Sequence, residues 1–284
     1  MSLFDDRLCS LGEGPLWHPL RKQLFWFDIM GKALLTRVGD RTQQWNFDDY
    51  VSAGGWVDHD RILIASSTCL FVFNLETGEQ QRLCDLEADV PGNRSNDGRA
   101  DPYGGFWIGT MGLKTEQGAG AFYRYYRGEL RKLYGDISVS NGTCFSVDGK
   151  WAFFTDTRSR LMHRVALGKD GWPVGEPEVY LDFRKENINI DGAVCDANGA
   201  IWIAHWGIHA VRAYASDGSI LHEETYPVSR VSCPAFGGEG FCTLFVTSAR
   251  SGASEEELVQ QPLAGATFAT KLDFVGQAEH QVIL

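Results

Sequence analysis

The sequence predicts an all-β protein, a six-bladed β-propeller running as one domain over residues 1–284. Three observations predict it. An internal repeat recurs about every 40–50 residues, the range of propeller blades. Each repeat carries a short apolar strand at the same place. Glycine-bearing tight turns separate the strands.

The first repeat opens near Gly14 and reads GPLWHPLRKQLFWFDIMGKALLTRV. The second opens near Gly55, the third near Gly98 (SNDGRADPYGGFWIGTMG), the fourth near Gly142 (SNGTCFSVDGKWAFFTDTRSRLMHRV) and the fifth near Gly192 (IDGAVCDANGAIWIAHWGIHAVRAY). A degenerate sixth, SCPAFGGEGFCTLFVTSA, begins near Ser232. Each has a strand, a turn and a second strand; the second strands are LFWFDI, ILIASS, FWIGTM, WAFFTD and IWIAHW. ALLTRV, LMHRVA and AVRAYA read as third strands. DG in VDGK, NG in DANGA and GG in PYGGF suit hairpin turns, because these residues accept positive φ. No segment of a dozen residues shows a 3.6-residue apolar period. EEELVQQ, near Glu255, is equally compatible with one turn of helix and with a loop. A β-sandwich is the competing all-β fold, and it lacks an internal period. Ring closure requires an N-terminal strand to pair with C-terminal ones, and TKLDFVGQAEH is placed to join that closing blade.

Composition agrees. Nine Trp, nine Tyr and seventeen Phe favour strands, and 32 Gly against nine Pro favour many tight turns. A formal net charge of −11 opposes nucleic-acid binding. No apolar run approaches the ~20 residues of a membrane span. The start, MSLFDDRLCSLGEG, lacks the basic and apolar regions of a signal peptide. Seven scattered cysteines without a C-x-x-C pair read as reduced, buried small side chains. Together these imply a cytoplasmic protein.

In a propeller the first strand of each blade lines the central channel, so side chains at the repeat openings converge at one mouth. Those openings carry Glu13, Asn96 with Asp97, Asn141 and Asp191, each next to a Gly or one residue from it. Equal phase in a ring means equal height. Two carboxylates in one channel repel, and a divalent cation on the axis removes that repulsion. Carboxylate and amide oxygens suit Ca²⁺, Mg²⁺ or Mn²⁺, and Zn²⁺ as well. The plainer alternative is that each residue forms an Asx-type turn with its own backbone.

The segments LGEGPLWHP, NRSNDGRADPYGGFWIGTMG, SNGTCFSVDGKWAFFTDT and NIDGAVCDANGAIWIA resemble the senescence marker protein/regucalcin/gluconolactonase family, over about Leu11 to Ser248. The resemblance implies a six-bladed propeller with one divalent ion on its axis. It implies Glu13, Asn141 and Asp191 as metal ligands, Asn96 beside the ion in contact with substrate, and Arg94 on the substrate hydroxyls or carbonyl. The implied activity is hydrolysis of an aldonolactone to the aldonic acid, and the implied partner is a small-molecule sugar lactone. Lys114 in GTMGLK stands where animal members carry an acidic residue that touches the sugar, so it implies a substrate contact of changed preference. Glu116 nearby offers a carboxylate in partial replacement.

Asp191 is the candidate general base as well as a ligand, since one carboxylate oxygen can face the ion while the other accepts a proton. Competing constellations are weak. There is no G-x-S-x-G elbow and no H-E-x-x-H. His205 and His209 read as rim or loop histidines, with His205 also placed to edge the site. His18 reads as a turn residue. Trp17, Trp107, Trp202 and Trp206 read as inter-blade packing, and Arg99 and Asp101 as residues of a solvated loop, with a pair across their turn as the alternative. Two further functions share the same ion: hydrolysis of organophosphates or other esters, and calcium-binding regulation without turnover.

Overall fold

Each repeat folds as an antiparallel meander of four strands. The computed structural model describes residues 1–284 as six such sheets around one axis. The blades span residues 12–46, 51–85, 93–137, 140–182, 193–225 and 231–271. The sixth has three strands of its own and is completed by Ser2–Asp5, paired with Thr267–Lys271. The six inner strands are Gly12–His18, Val51–Trp56, Asn93–Ala100, Ser140–Phe145, Ala193–Cys195 and Val231–Gly237. Each packs against the next, and the last packs against the first.

The apolar second and third strands explain the assembly. Six buried clusters each bridge two neighbouring blades. Phe25, Phe27 and Leu34 of the first blade meet Ile62, Ile64 and Phe71 of the second. Phe245 of the sixth meets Trp17 and Trp26 of the first, with Trp17 stacked on Phe245 at 5.6 Å. Trp17, Trp107 and Trp202 are thus inter-blade packing, as expected. Hairpin glycines Gly149 and Gly199 take φ of 69° and 88°, as their turns require.

Sequence reasoning missed the fourth strands. Arg41–Asn46, Gln80–Asp85 and Ile220–Thr225 are largely exposed and polar, so they carry almost no apolar signal. Glu255–Gln260 is a short helix, fixed by a capping box between Ser254 and Glu257. Of TKLDFVGQAEH only Thr270 and Lys271 join the closing blade, as the end of the strand Thr267–Lys271. The residues after it instead leave the sheet and cross the face of the ring opposite the repeat openings. There Ala197 N donates to Val275 O (2.8 Å) and Val282 N to Trp56 O (2.8 Å). No helix is long and apolar enough to cross a membrane, and all seven cysteines are unpaired.

Three expectations need correction. His18 ends the first inner strand rather than sitting in a turn; it is fully buried and pairs with Asp58 O across the blade boundary at 2.9 Å. His205 is a core residue rather than a rim residue. Its ring nitrogens meet Asn189 O (3.0 Å) and Tyr214 Oη (2.7 Å), while His209 is exposed. Arg99 and Asp101 do not pair with each other. Both are buried, Arg99 with Glu279 and Asp101 with Arg124. The turn chemistry read from DGRADP was local, whereas these partners come from elsewhere in the ring.

Burial lowers the His205 pKa from 6.5 to about 4. A base with a depressed folded-state pKa stabilises the fold above its unfolded pKa and loses that contribution as pH falls from 6.5 towards 4. At pH 5 the loss should be about 2 kcal/mol. Urea unfolding of the parent and of His205→Gln at pH 7 and pH 5 checks this: the variant, weaker at pH 7, should show the flatter pH dependence.

Candidate functional site

The inner strands owe their aim to bulges. In the first, third, fourth and sixth blades two residues of the inner strand oppose one of its neighbour, at 14–15, 96–97, 142–143 and 232–233. A bulge re-aims the side chains around it. Gly14 and Gly142 occupy their bulges with φ of 53° and 69°, a region where a side chain would be strained. Pro15 shares the first bulge, where a ladder donor is dispensable.

The bulges also correct the equal-phase expectation. The first regular ladder pairs beyond the bulges of the first, third and fourth blades are Leu16–Phe25, Gly98–Ile108 and Cys144–Phe153, and the first pair of the fifth blade is Ala193–Ile203. Glu13 and Asn141 stand three residues before their pair (16 − 13, 144 − 141), but Asn96 and Asp191 stand two before theirs (98 − 96, 193 − 191). Two adjacent phases therefore supply the site.

The structure brings Glu13, Arg94, Asn96, Asn141 and Asp191 together in the wall of one pocket of about 380 Å³ at this mouth of the channel. All five are buried. Asn96 Nδ2 donates to Asn141 Oδ1 (2.9 Å) and to Ser140 O (2.7 Å), and Arg94 Nη1 donates to Asn96 Oδ1 (2.6 Å). Asn141 Nδ2 donates to Thr157 Oγ1 (2.8 Å), whose hydroxyl donates to Ile190 O (2.7 Å). This relay commits the amide nitrogen of Asn141 outward and turns its oxygen towards Asn96. The two asparagines are therefore engaged with the site's other side chains, which disfavours the Asx-turn alternative for them.

Electrostatics single out the acids. Burial, then the Asp97 carboxylate, pushes Glu13 up to about 8. Burial, then Glu13 and Asp97, pushes Asp191 well above the usual carboxylate range. The buried ion pairs of the molecule lie elsewhere, at Arg99–Glu279 and Arg124–Asp101. Arg94 is the only cation in the pocket wall. Burial lowers it to about 10, with Glu13 and Asp191 opposing that shift, so it stays charged at neutral pH. Two carboxylates and an amide oxygen, all hard donors short of positive charge, fit one divalent cation.

Lys114 is not among the pocket-lining residues. It is exposed on the rim, its backbone N–H bonded to Glu116 Oε2 (3.0 Å), and its neighbour Thr115 lines the pocket instead. Sequence reasoning missed Met111, Thr157 and Trp206, which line the pocket from the ends of the second strands in GTMG, TDTR and AHWG. Their shared place in the repeat was a usable signal. Trp206 is half-buried in this wall, not packed between blades as expected.

A family model described as the SMP-30/Gluconolactonase/LRE-like region matches residues 11–250. The chain is 32% identical to the 6-deoxy-6-sulfogluconolactonase of Pseudomonas putida, over 95% of this chain and 94% of that one. It is 30% identical to the L-arabinolactonase of Azospirillum brasilense, over 98% and 93%. A crystal structure of a calcium-binding protein, regucalcin, from Agrobacterium tumefaciens strain C58 superposes with a TM-score of 0.97 at 38% identity, over 100% of this chain and 97% of that one.

Because Glu13 and Asp191 are both buried and Glu13 raises Asp191, Asp191→Asn should stabilise the chelator-treated protein, by about 1 kcal/mol or more. Divalent cations should raise the melting temperature of the parent and leave that of the variant nearly unchanged. Scanning calorimetry with chelator and with added cation checks both.

Proposed function

The chain belongs to the SMP-30/gluconolactonase/LRE-like family, and from that membership we propose that it hydrolyses a sugar lactone to the aldonic acid, with one divalent cation held by Glu13, Asn141 and Asp191. The observation that carries the reading is the pair of buried carboxylates, Glu13 and Asp191, in one pocket wall with the Asn141 amide. The relatives named as lactonases support the reaction class. The pocket volume of about 380 Å³ suits a monosaccharide. We further propose a cytoplasmic setting, in keeping with the unpaired thiols.

When bound, the cation neutralises the two acids and polarises the lactone carbonyl as a Lewis acid. The protein's own groups do the rest. Arg94 spends one nitrogen, Nη1, on Ser95 O (2.8 Å) and Asn96 Oδ1. The remaining edge of its guanidinium is free for the carbonyl oxygen or a hydroxyl of the sugar, where it opposes the negative charge that develops during attack. Asn96, anchored to Ser140 O and Asn141, keeps that edge aimed. Asp191 takes a proton from the attacking water while the hydroxyl adds to the carbonyl carbon. As the bond from that carbon to the ring oxygen breaks, Asp191 returns the proton to the leaving oxygen, so the enzyme ends as it began. Glu13 and Asn141 serve to hold the ion. Met111 and Trp206 offer the sugar an apolar wall, and Lys114 meets only what projects over the rim.

The decisive experiment strips the protein of metal, restores Zn²⁺, Ca²⁺, Mn²⁺ or Mg²⁺ singly, and follows acid release from a panel of aldonolactones and from organophosphate and ester substrates. Turnover should need a restored cation and favour the aldonolactones. Full activity without metal, or cation binding with no turnover on any substrate, refutes the reading. Asp191→Asn should fold and lose at least about 10²-fold in kcat, since it removes a ligand of the ion as well as the general base. Arg94→Met should lower kcat/KM by about 10²-fold.

A further inference from the structure

The far end of the same channel holds a buried ion pair that the reaction does not use. Arg99, on the third inner strand, reaches across the axis. Its Nε donates to Thr143 O (3.3 Å), and its Nη2 to Ala193 O (3.3 Å) and Pro234 O (3.4 Å). Its Nη1 donates to the carboxylate of Glu279. One guanidinium thus ties the fourth, fifth and sixth inner strands to the segment that crosses the floor of the ring. That segment is itself pinned on both sides of Glu279. Trp56 Nε1 donates to Glu279 O (2.7 Å), Gln277 Nε2 to Cys195 O (3.2 Å), and Gln281 Nε2 to Val57 O (2.6 Å). Val282 is buried between the second and third blades.

Asp97 lies between this floor and the open mouth. It sits two residues before Arg99, and its Oδ2 accepts from Thr143 N (2.7 Å), while the carbonyl of Thr143 accepts from Arg99. Thr143 follows Asn141 by two residues on the same strand. The charges form a series: Glu279 acts on Arg99, Arg99 on Asp97, and Asp97 on both Glu13 and Asp191. With every group ionised, the channel holds four carboxylates (Glu13, Asp97, Asp191, Glu279) against two guanidinium groups (Arg94, Arg99). Four minus two leaves two negative charges, the complement of one doubly charged ion. A floor needs no charges to be closed, since apolar residues of like volume do so at least as stably as a buried ion pair.

We infer that Glu279 and Arg99 are positioning residues of the cation centre: Glu279 offsets the charge of Arg99, so the guanidinium that ties the inner strands together leaves the channel's net charge at minus two instead of opposing a cation bound above it. This rests on the reading of Glu13, Asn141 and Asp191 as ligands. The test measures cation affinity directly, by competition with a chromophoric chelator and without substrate. Glu279→Gln keeps the size of the side chain and an acceptor for Arg99, and leaves one net negative charge. It should weaken Ca²⁺ or Mn²⁺ binding roughly tenfold, the effect of one charge across a partly buried channel. Adding Arg99→Gln restores the balance of minus two and should bring affinity back to within about threefold of the parent. Gln281→Ala loosens the same segment without touching a charge, and should lower the melting temperature but not the affinity. Unchanged affinity in Glu279→Gln, or an equal loss in Gln281→Ala, overturns the inference, and these two variants decide the matter even if the double variant does not fold. A parent protein that binds no cation overturns the ligand reading and this inference together, whereas a parent that binds and a Glu279→Gln that binds equally well overturns this inference alone.

Discussion

Glu13 and Asp191 are two buried acids that the ring forces into the wall of one pocket, and much of the molecule can be understood as what tolerating them requires. A buried carboxylate stays ionised only if positive charge or hydrogen-bond donors replace the water it lost. Here the local donors are few and the local cation, Arg94, is single. Burial raises both acids, with Asp97 adding to the rise of Glu13, and Glu13 and Asp97 to that of Asp191. Something must hold them in place against that repulsion, and the six apolar clusters between blades do so. Site strain of this kind is the usual cost of a poised functional centre. It survives because each inner strand is gripped on both sides by neighbours that cannot move independently.

The grip alone would not suffice, because a regular strand alternates its side chains between faces. An unbroken inner strand would send one of any two adjacent residues away from the shared point. The two-for-one bulges in the first, third and fourth blades relax that rule where it matters. Residues of adjacent phase, such as Asn141 and Asn96, then come within 2.9 Å of each other. The glycines in two of these bulges are what makes the geometry affordable to the backbone.

This explains which parts of the molecule were visible in the sequence. The repeat, the second strands, the hairpin glycines and the convergence of Glu13, Asn96, Asn141 and Asp191 all rest on local patterns, and local patterns survive in a linear reading. The polar fourth strands did not, because their half-exposed faces lack an apolar period. The partners of Arg99, Asp101 and His205 did not either. Each is fixed by contact between distant segments, such as Arg99 with Glu279 across 180 residues, which no turn motif encodes. Trp206 was misjudged because it matches the other tryptophans in type but not in place: it lies just beyond a second strand, where the chain turns over the mouth of the ring.

The two ends of the channel are then unequal by construction. The crossing segment closes one end with main-chain bonds to the second, third and fifth blades, so it cannot admit a ligand without breaking several of them. The other end is walled by residues from the ends of the second strands, Met111, Thr157 and Trp206, and by Thr115 of the adjoining loop. The acids and amides below that wall come from inner strands, which must preserve their bulges and their packing to work at all. Thr157 is tied to Asn141 and Met111 is buried in its strand, but Thr115 and Trp206 lie in turns and face weaker constraints, because loops over a rigid scaffold can vary without disturbing the core. The acids and amides of the channel and the wall above them are thereby carried by different segments of the same blades.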